Sequence, residues 1–403
     1  MKKVLLSNHG HILTYNIALA LNKKKILKRF ISSHYKGKNN LIDYLFKKKI
    51  ERRFIEGLDK RLISSYFITD LPYLILKQIS KNNTIINLGI RIRSFLIQIL
   101  TIFHLLISDY DCVISWESNS YYLFKFLKKN KKIKKILYFG HIYLYKEIEI
   151  LKKDKALNPK FANSYFIYRN NNILKKIKRE VYLSDLIFTS STFGKKSLTD
   201  FGVDDSKIIT IPLGFDNKYF SIQKDYDFFN EKVIKILFVG GVGQRKGIQT
   251  LFKSLQEIDK SKYVLELVGP LKIRKKLIDS YNINYNVYGK INNRKLIEKF
   301  KSSHIFILPS IIEGFGIVLL EAMASNMVVI TTTNTGGPDI IKNESDGFII
   351  KPYDTKKLTS IILELLNNRN FMKEISTSAK NKSNNFTWEV FHQKLNNTIM
   401  QLK

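Results

Sequence analysis

The chain has 403 residues, 44% apolar and 12% aromatic, which is too long for one ordinary core and too apolar for disorder, so two or three packed domains are expected. A single cysteine, Cys112, excludes a disulfide framework and fits a reducing, cytoplasmic setting. The net charge of +34 is uneven: residues 1–220 hold 41 Lys and Arg against 17 Asp and Glu, and residues 221–403 hold 27 against 17. The basic first half suits an anionic partner (a membrane surface, a nucleic acid or a phosphorylated substrate) or else a solvated lysine-rich surface.

In chain order, "MKKVLLSNHG" has too short an apolar run for a signal peptide and reads as a strand ending in a turn. "TYNIALALNKK" has helical spacing. The longest apolar stretch, Ser94 to Ser108, is shorter than the roughly 20 residues of a bilayer span and contains Gln98 and His104, so it predicts a core or interfacial helix. "DYDCVISWES", "IKKILYFGH", "SDLIFTSS" and "KIITIPLGF" read as further strands, and "STFGKKSLTDFG" as a helix among them. A linker is expected near Gly214 to Tyr226.

The second half alternates more clearly. "KVIKILFVGG", "YVLELVG", "YNVYGKI", "HIFILPS" and "MVVITTT" are strands, separated by helical stretches such as "NRKLIEKFKSS". This is the pattern of an α/β fold with a parallel, doubly wound sheet, in which ligands bind beyond the carboxyl ends of the strands. Gly240–Gly243, Pro309–Glu313 and Thr333–Gly337 all follow strands and should line one crevice. "NNFTWEVFHQKLNNTIMQLK" reads as an amphipathic helix with Trp388, Phe391 and Leu395 on one face.

Three features of that crevice point to a ligand, the first of them to an anionic one. "GGVGQRKG" combines a glycine turn, whose amides are free for an anion, with Arg245 and Lys246 at the expected start of a helix. The spacing is not the dinucleotide fingerprint, and "STFGKKS" lacks the first glycine of a P-loop. In "EGFGI", Gly314 and Gly316 allow close backbone approach, the amides of Phe315, Gly316 and Ile317 open a helix, and Glu313 sits in the turn. Glu321 lies inside the apolar run "IVLLEAMAS", where an unpartnered carboxylate is costly.

"FVGGVGQRKGIQTL", "PSIIEGFGIVLLEAMASNMVVITTTNTGGPDII" and "SSTFGKKSLTDFGVDDSKIITIPLGFD" together resemble the retaining, nucleotide-sugar-dependent glycosyltransferases of family 4. The resemblance runs from about Tyr138 to Trp388 and is weak over residues 20–135. It implies the GT-B fold, with two Rossmann-like domains facing a cleft. Residues 1–215 would form the acceptor domain, residues 216–385 the donor domain, and residues 386–403 would pack back on the first.

It also implies roles for single residues. Glu321 would accept hydrogen bonds from the ribose, which would answer its burial. Glu313 would touch the transferred sugar, and Arg245 and Lys246 would neutralise the leaving diphosphate without a metal or other cofactor. His141 would stand near the reacting sugar, the alternative being a hydrogen-bonded core histidine. Gly10 would approach the diphosphate or the acceptor, and Gly241 belongs to the phosphate turn. Ser191 is either a cleft residue or a helix N-cap. Many members carry Gly-Arg where this chain has Gly240-Gly241, which leaves Arg245 as the second phosphate cation. Asp339 replaces a commoner Glu and is expected to cap its helix.

The implied partners are a nucleotide-sugar donor and a glycan or lipid-linked acceptor, with an anionic membrane surface as a candidate and no nucleic acid. A GT-B phosphorylase or epimerase and a non-enzymatic basic binding module are the alternatives.

Overall fold

The computed structural model describes residues 2–8, 12–36, 54–80, 82–162 and 171–402. Two parallel sheets organise them. The first has seven strands in the order β3-β2-β1-β4-β5-β6-β7: β1 (Val4–Ser7), β2 (Leu27–Ser32), β3 (Ile63–Ser65), β4 (Cys112–Trp116), β5 (Lys134–Phe139), β6 (Leu186–Thr189) and β7 (Ile208–Thr210). The second has six, in the order β10-β9-β8-β11-β12-β13: β8 (Ile234–Val239), β9 (Tyr263–Val268), β10 (Tyr285–Gly289), β11 (Ile305–Leu308), β12 (Val328–Thr332) and β13 (Phe348–Ile350).

Each sheet reverses its strand order next to its first strand, at β1/β4 and at β8/β11, and such switch points open crevices at the carboxyl edge. The central strands are buried on both faces, which is why they read as unbroken apolar runs.

The structure adds three strands that the sequence reading lacks, β2, β3 and β13. In β2 the apolar run is broken by Lys28 and Arg29. Lys28 donates to Asp109 O at 2.9 Å and lies over the Tyr110 ring, and Arg29 donates to Arg61 O at 2.9 Å, so both cations leave the sheet along its edges.

The apolar stretch expected at 94–108 is part of a much longer helix, Asn83–Ile107. Arg91 and Arg93 hid its first half, but Arg93 is paired with Asp70 at 3.4 Å and stacks on Tyr73. By length and composition this helix is long enough to cross a membrane, with a mean hydropathy of 1.7, and 28% of that apolar window is buried. Its buried stripe holds Ile97, Gln98 and Thr101. Thr101 Oγ1 meets Ser7 Oγ at 2.6 Å, and Gln98 Oε1 accepts from Tyr122 N at 2.8 Å, so the helix is a layer of the first domain.

The helix Trp388–Gln401 buries Phe391, Leu395 and Ile399 against the helix Ile12–Lys23, and Asn396 donates to Ala20 O at 3.0 Å.

Candidate active site

Glycine conformations bring the loops of the second sheet together. Gly247 has φ +62°, and a Cβ on it would collide with Pro309 O. The turn Gln244–Lys246 therefore lies directly against the 309–313 loop, and Arg245 O accepts from Ile311 N at 3.1 Å and Ile312 N at 3.2 Å. Glu313 N donates to Asn334 O at 3.0 Å, and Asn334 Nδ2 donates to Ile311 O at 2.9 Å. The three loops that follow β8, β11 and β12 thus form one wall.

Arg245 and Lys246 do not begin the helix expected there. They occupy a tight 3-10 turn, and the helix Ile248–Gln256 starts after Gly247. The left-handed glycine breaks the backbone ladder between the two. Lys246 Nζ pairs with Glu313 Oε2, and Arg245 Nε donates to Ile312 O at 3.3 Å. Burial would raise the Glu313 carboxyl, but the Lys246 and Arg245 charges, the Lys246 hydrogen bond and His141 together hold it below the usual carboxylate range. Gly241 sits at the mouth of the turn, with the Lys272 side chain beside it.

The helix Ile317–Ala324 begins after Gly316, at φ +85°, with Phe315 buried beneath it and Phe315 O accepting from Gly336 N at 2.8 Å. Glu321 lies on this helix. Burial pushes its carboxyl up to about 7, and within the described residues its carboxylate has no hydrogen-bond partner.

The first sheet meets this wall at β5. A Cβ on Gly314 would collide with Gly140 O, so only glycine lets the 313–316 turn touch the segment carrying His141. His141 is not a core histidine: its side chain is 70% exposed, and Nε2 lies 3.9 Å from Glu117 Oε1. Burial raises the Glu117 carboxyl against the opposing pull of His141 and the Gly140 amide.

Ser191 fills both of its candidate roles, accepting from Gly194 N at 3.0 Å as an N-cap and donating to Gly314 O across the domain boundary. Asp339 does not cap its own helix. It accepts from Thr192 N at 2.9 Å and from Thr192 Oγ1, at the start of the opposing helix Thr192–Thr199. The short helix Gly337–Ile340 begins at Gly336 without a side-chain cap, which leaves Asp339 free to face outward.

Glu313, Arg245, Lys246, His141, Gly314 and Phe315 are therefore gathered at one junction, and Glu321 lies on the helix that leads away from it. Gly10 lies outside the described residues. Sequence reasoning missed Glu117 and Thr192, because each acquires its meaning from a residue far away in the chain.

Residues 221–382 match the family model of glycosyl transferases group 1. The resemblance read from the sequence stands at that level, and the group 1 segment carries the turn with Lys246, the Glu313 loop and Glu321. A capsular polysaccharide biosynthesis glycosyltransferase, CapM of Staphylococcus aureus, is 27% identical over 228 residues, covering 53% of this chain and 60% of that protein. Over the first curated relatives that it matches, the chain spans 51% to 64% of their length.

Among solved structures, sucrose-phosphate synthase of Thermosynechococcus elongatus superposes with a TM-score of 0.67 at 16% identity, covering 100% of this chain and 99% of that one. HepE of Anabaena in complex with UDP and glucose gives 0.62 at 13% identity, covering all of both chains. The fold is GT-B, with two Rossmann-like halves.

Proposed function

We propose that the chain is a retaining, family 4-type glycosyltransferase of the GT-B class, which moves a sugar from a nucleoside diphosphate sugar to a glycan or lipid-linked saccharide in surface polysaccharide synthesis. The observation that carries this reading is the Lys246–Glu313 pair, held by Gly247 and Gly314 at the point where the group 1 segment meets His141. Residues 216–385 would hold the donor and residues 1–215 the acceptor. The match to a capsular glycosyltransferase supports the polysaccharide setting.

The chemistry follows from charge. The bond from the anomeric carbon to the diphosphate breaks, a bond to the acceptor hydroxyl oxygen forms on the same face, that hydroxyl's proton passes to the departing diphosphate oxygen, and the diphosphate leaves with its remaining negative charge. Arg245 and Lys246 supply the compensating charge in a partly buried site, where it acts strongly, so no metal or other cofactor is required of the leaving group. Lys246 would exchange Glu313 for the diphosphate as the donor enters, freeing the Glu313 carboxylate for the sugar hydroxyls. Glu321 would take the ribose hydroxyls, and His141 would face the sugar from the first domain. A cytoplasmic, peripheral enzyme is the setting we propose, with the basic first half and the exposed apolar face of Asn83–Ile107 against an anionic membrane.

The test is thermal stabilisation by UDP, GDP, ADP, CMP and dTDP, with magnesium and with EDTA. Stabilisation by one of the diphosphates in EDTA, followed by transfer of the matching sugar with the anomeric configuration kept, is the expected result. No shift with any nucleotide, or inverted product, sinks the reading.

A further inference from the structure

A cavity of about 380 Å3 lies in the first domain beside the candidate site. The helices Asn83–Ile107 and Asn171–Leu183 wall it, and Glu117, His141, Arg245 and Ile312 close its inner end. Its size is within the range of a ligand pocket.

Three observations say what it holds. First, Glu147 lines it with 9% exposure, and its Oε1 is fully buried with no hydrogen-bond partner among the described residues, whereas the neighbouring Glu180 is occupied by the amides of Ser118, Ser120 and Tyr121 at 2.7, 2.9 and 2.9 Å. A buried carboxylate oxygen left unpaired is costly, so a small turn of the side chain that brings Oε1 into the cavity and onto a ligand hydroxyl would be favourable.

Second, much of the rest of the wall is apolar or aromatic, including Ile90, Phe95, Phe139 and Ile173, which does not suit a saccharide alone. On the outer face of Asn83–Ile107, Ile85, Leu88, Phe95, Ile99, Phe103 and Leu106 are all exposed and follow one another at helical spacing, so an apolar stripe leads away from the cavity through solvent. Third, two exposed cations, Arg91 and Lys176, line the cavity, and Lys176 is steadied by Tyr122 OH at 2.8 Å.

We propose that this cavity receives a saccharide carried on a lipid phosphate. The sugar meets Glu147 near His141, the phosphate meets Arg91 and Lys176, and the hydrocarbon runs along the stripe from Phe95 to Leu106. This deepens the glycosyl-transfer reading and rests on it for the role of the bound molecule as acceptor.

The experiment uses the full chain and calorimetric titration with farnesyl phosphate, farnesol and inorganic phosphate, none of which requires the donor to be known. Farnesyl phosphate is expected to bind at least tenfold more tightly than either of the others, and at least tenfold more weakly to the R91E/K176E double variant or to F95D/I99D. The K131E/K132E variant should bind it as the wild type does, because these exposed lysines do not line the cavity. Equal binding of farnesol, equal binding of inorganic phosphate, or a loss that follows K131E/K132E as much as R91E/K176E overturns the proposal.

Glu147→Leu separates a ligand-facing carboxylate from a structural one. A raised Tm is expected, since an unpaired buried oxygen disappears, and a lowered Tm overturns the assignment of the sugar end. Nucleoside diphosphate binding on the same preparations distinguishes the two readings. Nucleotide binding without farnesyl phosphate binding sinks this proposal alone, and the reverse sinks the transfer reading alone.

Discussion

The two sides of the junction are built by different means. The crevice of the group 1 segment is made of backbone: Gly247 and Gly314 stand where a single Cβ would strike a carbonyl, and the Lys246–Glu313 pair depends on both. The cavity of the first domain is made of ordinary side chains on two long helices, with Phe95, Arg91 and Lys176 exposed. A site set by backbone tolerates almost no substitution, whereas one set by side chains can change its ligand without disturbing the fold. The donor side should therefore be brittle and the acceptor side adaptable.

Gly247→Ala is the hardest blow to that contrast. A Cβ against Pro309 O and a left-handed φ should together cost about 4 kcal/mol or more, read as a fall in the denaturation midpoint. Phe95→Ala, on the other side, should stay within about 1 kcal/mol, since the ring is 41% exposed. Comparable losses for the two would erase the distinction.

Next in size, Glu313→Gln and Lys246→Ala should each lower turnover by about two orders of magnitude or more, the scale of removing one contact made in the transition state. Steady-state rates near wild type in either variant would remove the pair from the chemistry.

Glu321 gives a smaller effect with a definite sign. Its folded pKa of about 7 lies above the ordinary 4.5, so the folded state holds a proton that the unfolded state has released. Its contribution to stability is therefore present below about pH 4.5 and is lost as pH rises to about 7, and Glu321→Gln should flatten that slope. Donor nucleotide affinity should move the opposite way, rising as the carboxylate ionises and levelling above about pH 7. An affinity that falls with pH over this range would contradict a ribose-accepting carboxylate.

The smallest change is Thr192→Val. It removes one donor to Asp339 across the domain boundary and should cost about 1 kcal/mol, seen as a modest rise in donor KM.

The same contrast explains what the sequence disclosed. Glycine turns, paired cations and the two glutamates Glu313 and Glu321 of one short stretch are local patterns, and the crevice was legible because its geometry is written in glycines. Helix Asn83–Ile107 was half hidden, since Arg91 and Arg93 look like a solvated break until Asp70 and Tyr73 are seen beside Arg93. β2 was obscured in the same way by Lys28 and Arg29. In the sequence Asp339 reads as a cap of its own helix, because its partner Thr192 is 147 residues away. Glu117 likewise becomes notable only when the sheet sets β4 beside β5 and brings it to His141.

The helix Trp388–Gln401 has a consequence for how the chain is made. It covers the helix Ile12–Lys23, and the contact between Asn396 and Ala20 joins residues 376 positions apart. At a synthesis rate of about 5–20 residues per second, residues near Ala20 wait roughly 20–75 s for that cover. During that interval Leu13, Ile17 and the rest of the apolar face of Ile12–Lys23 stay open. The first domain begins to form early but is finished late, and a chaperone that shields this one face would be most useful in that window.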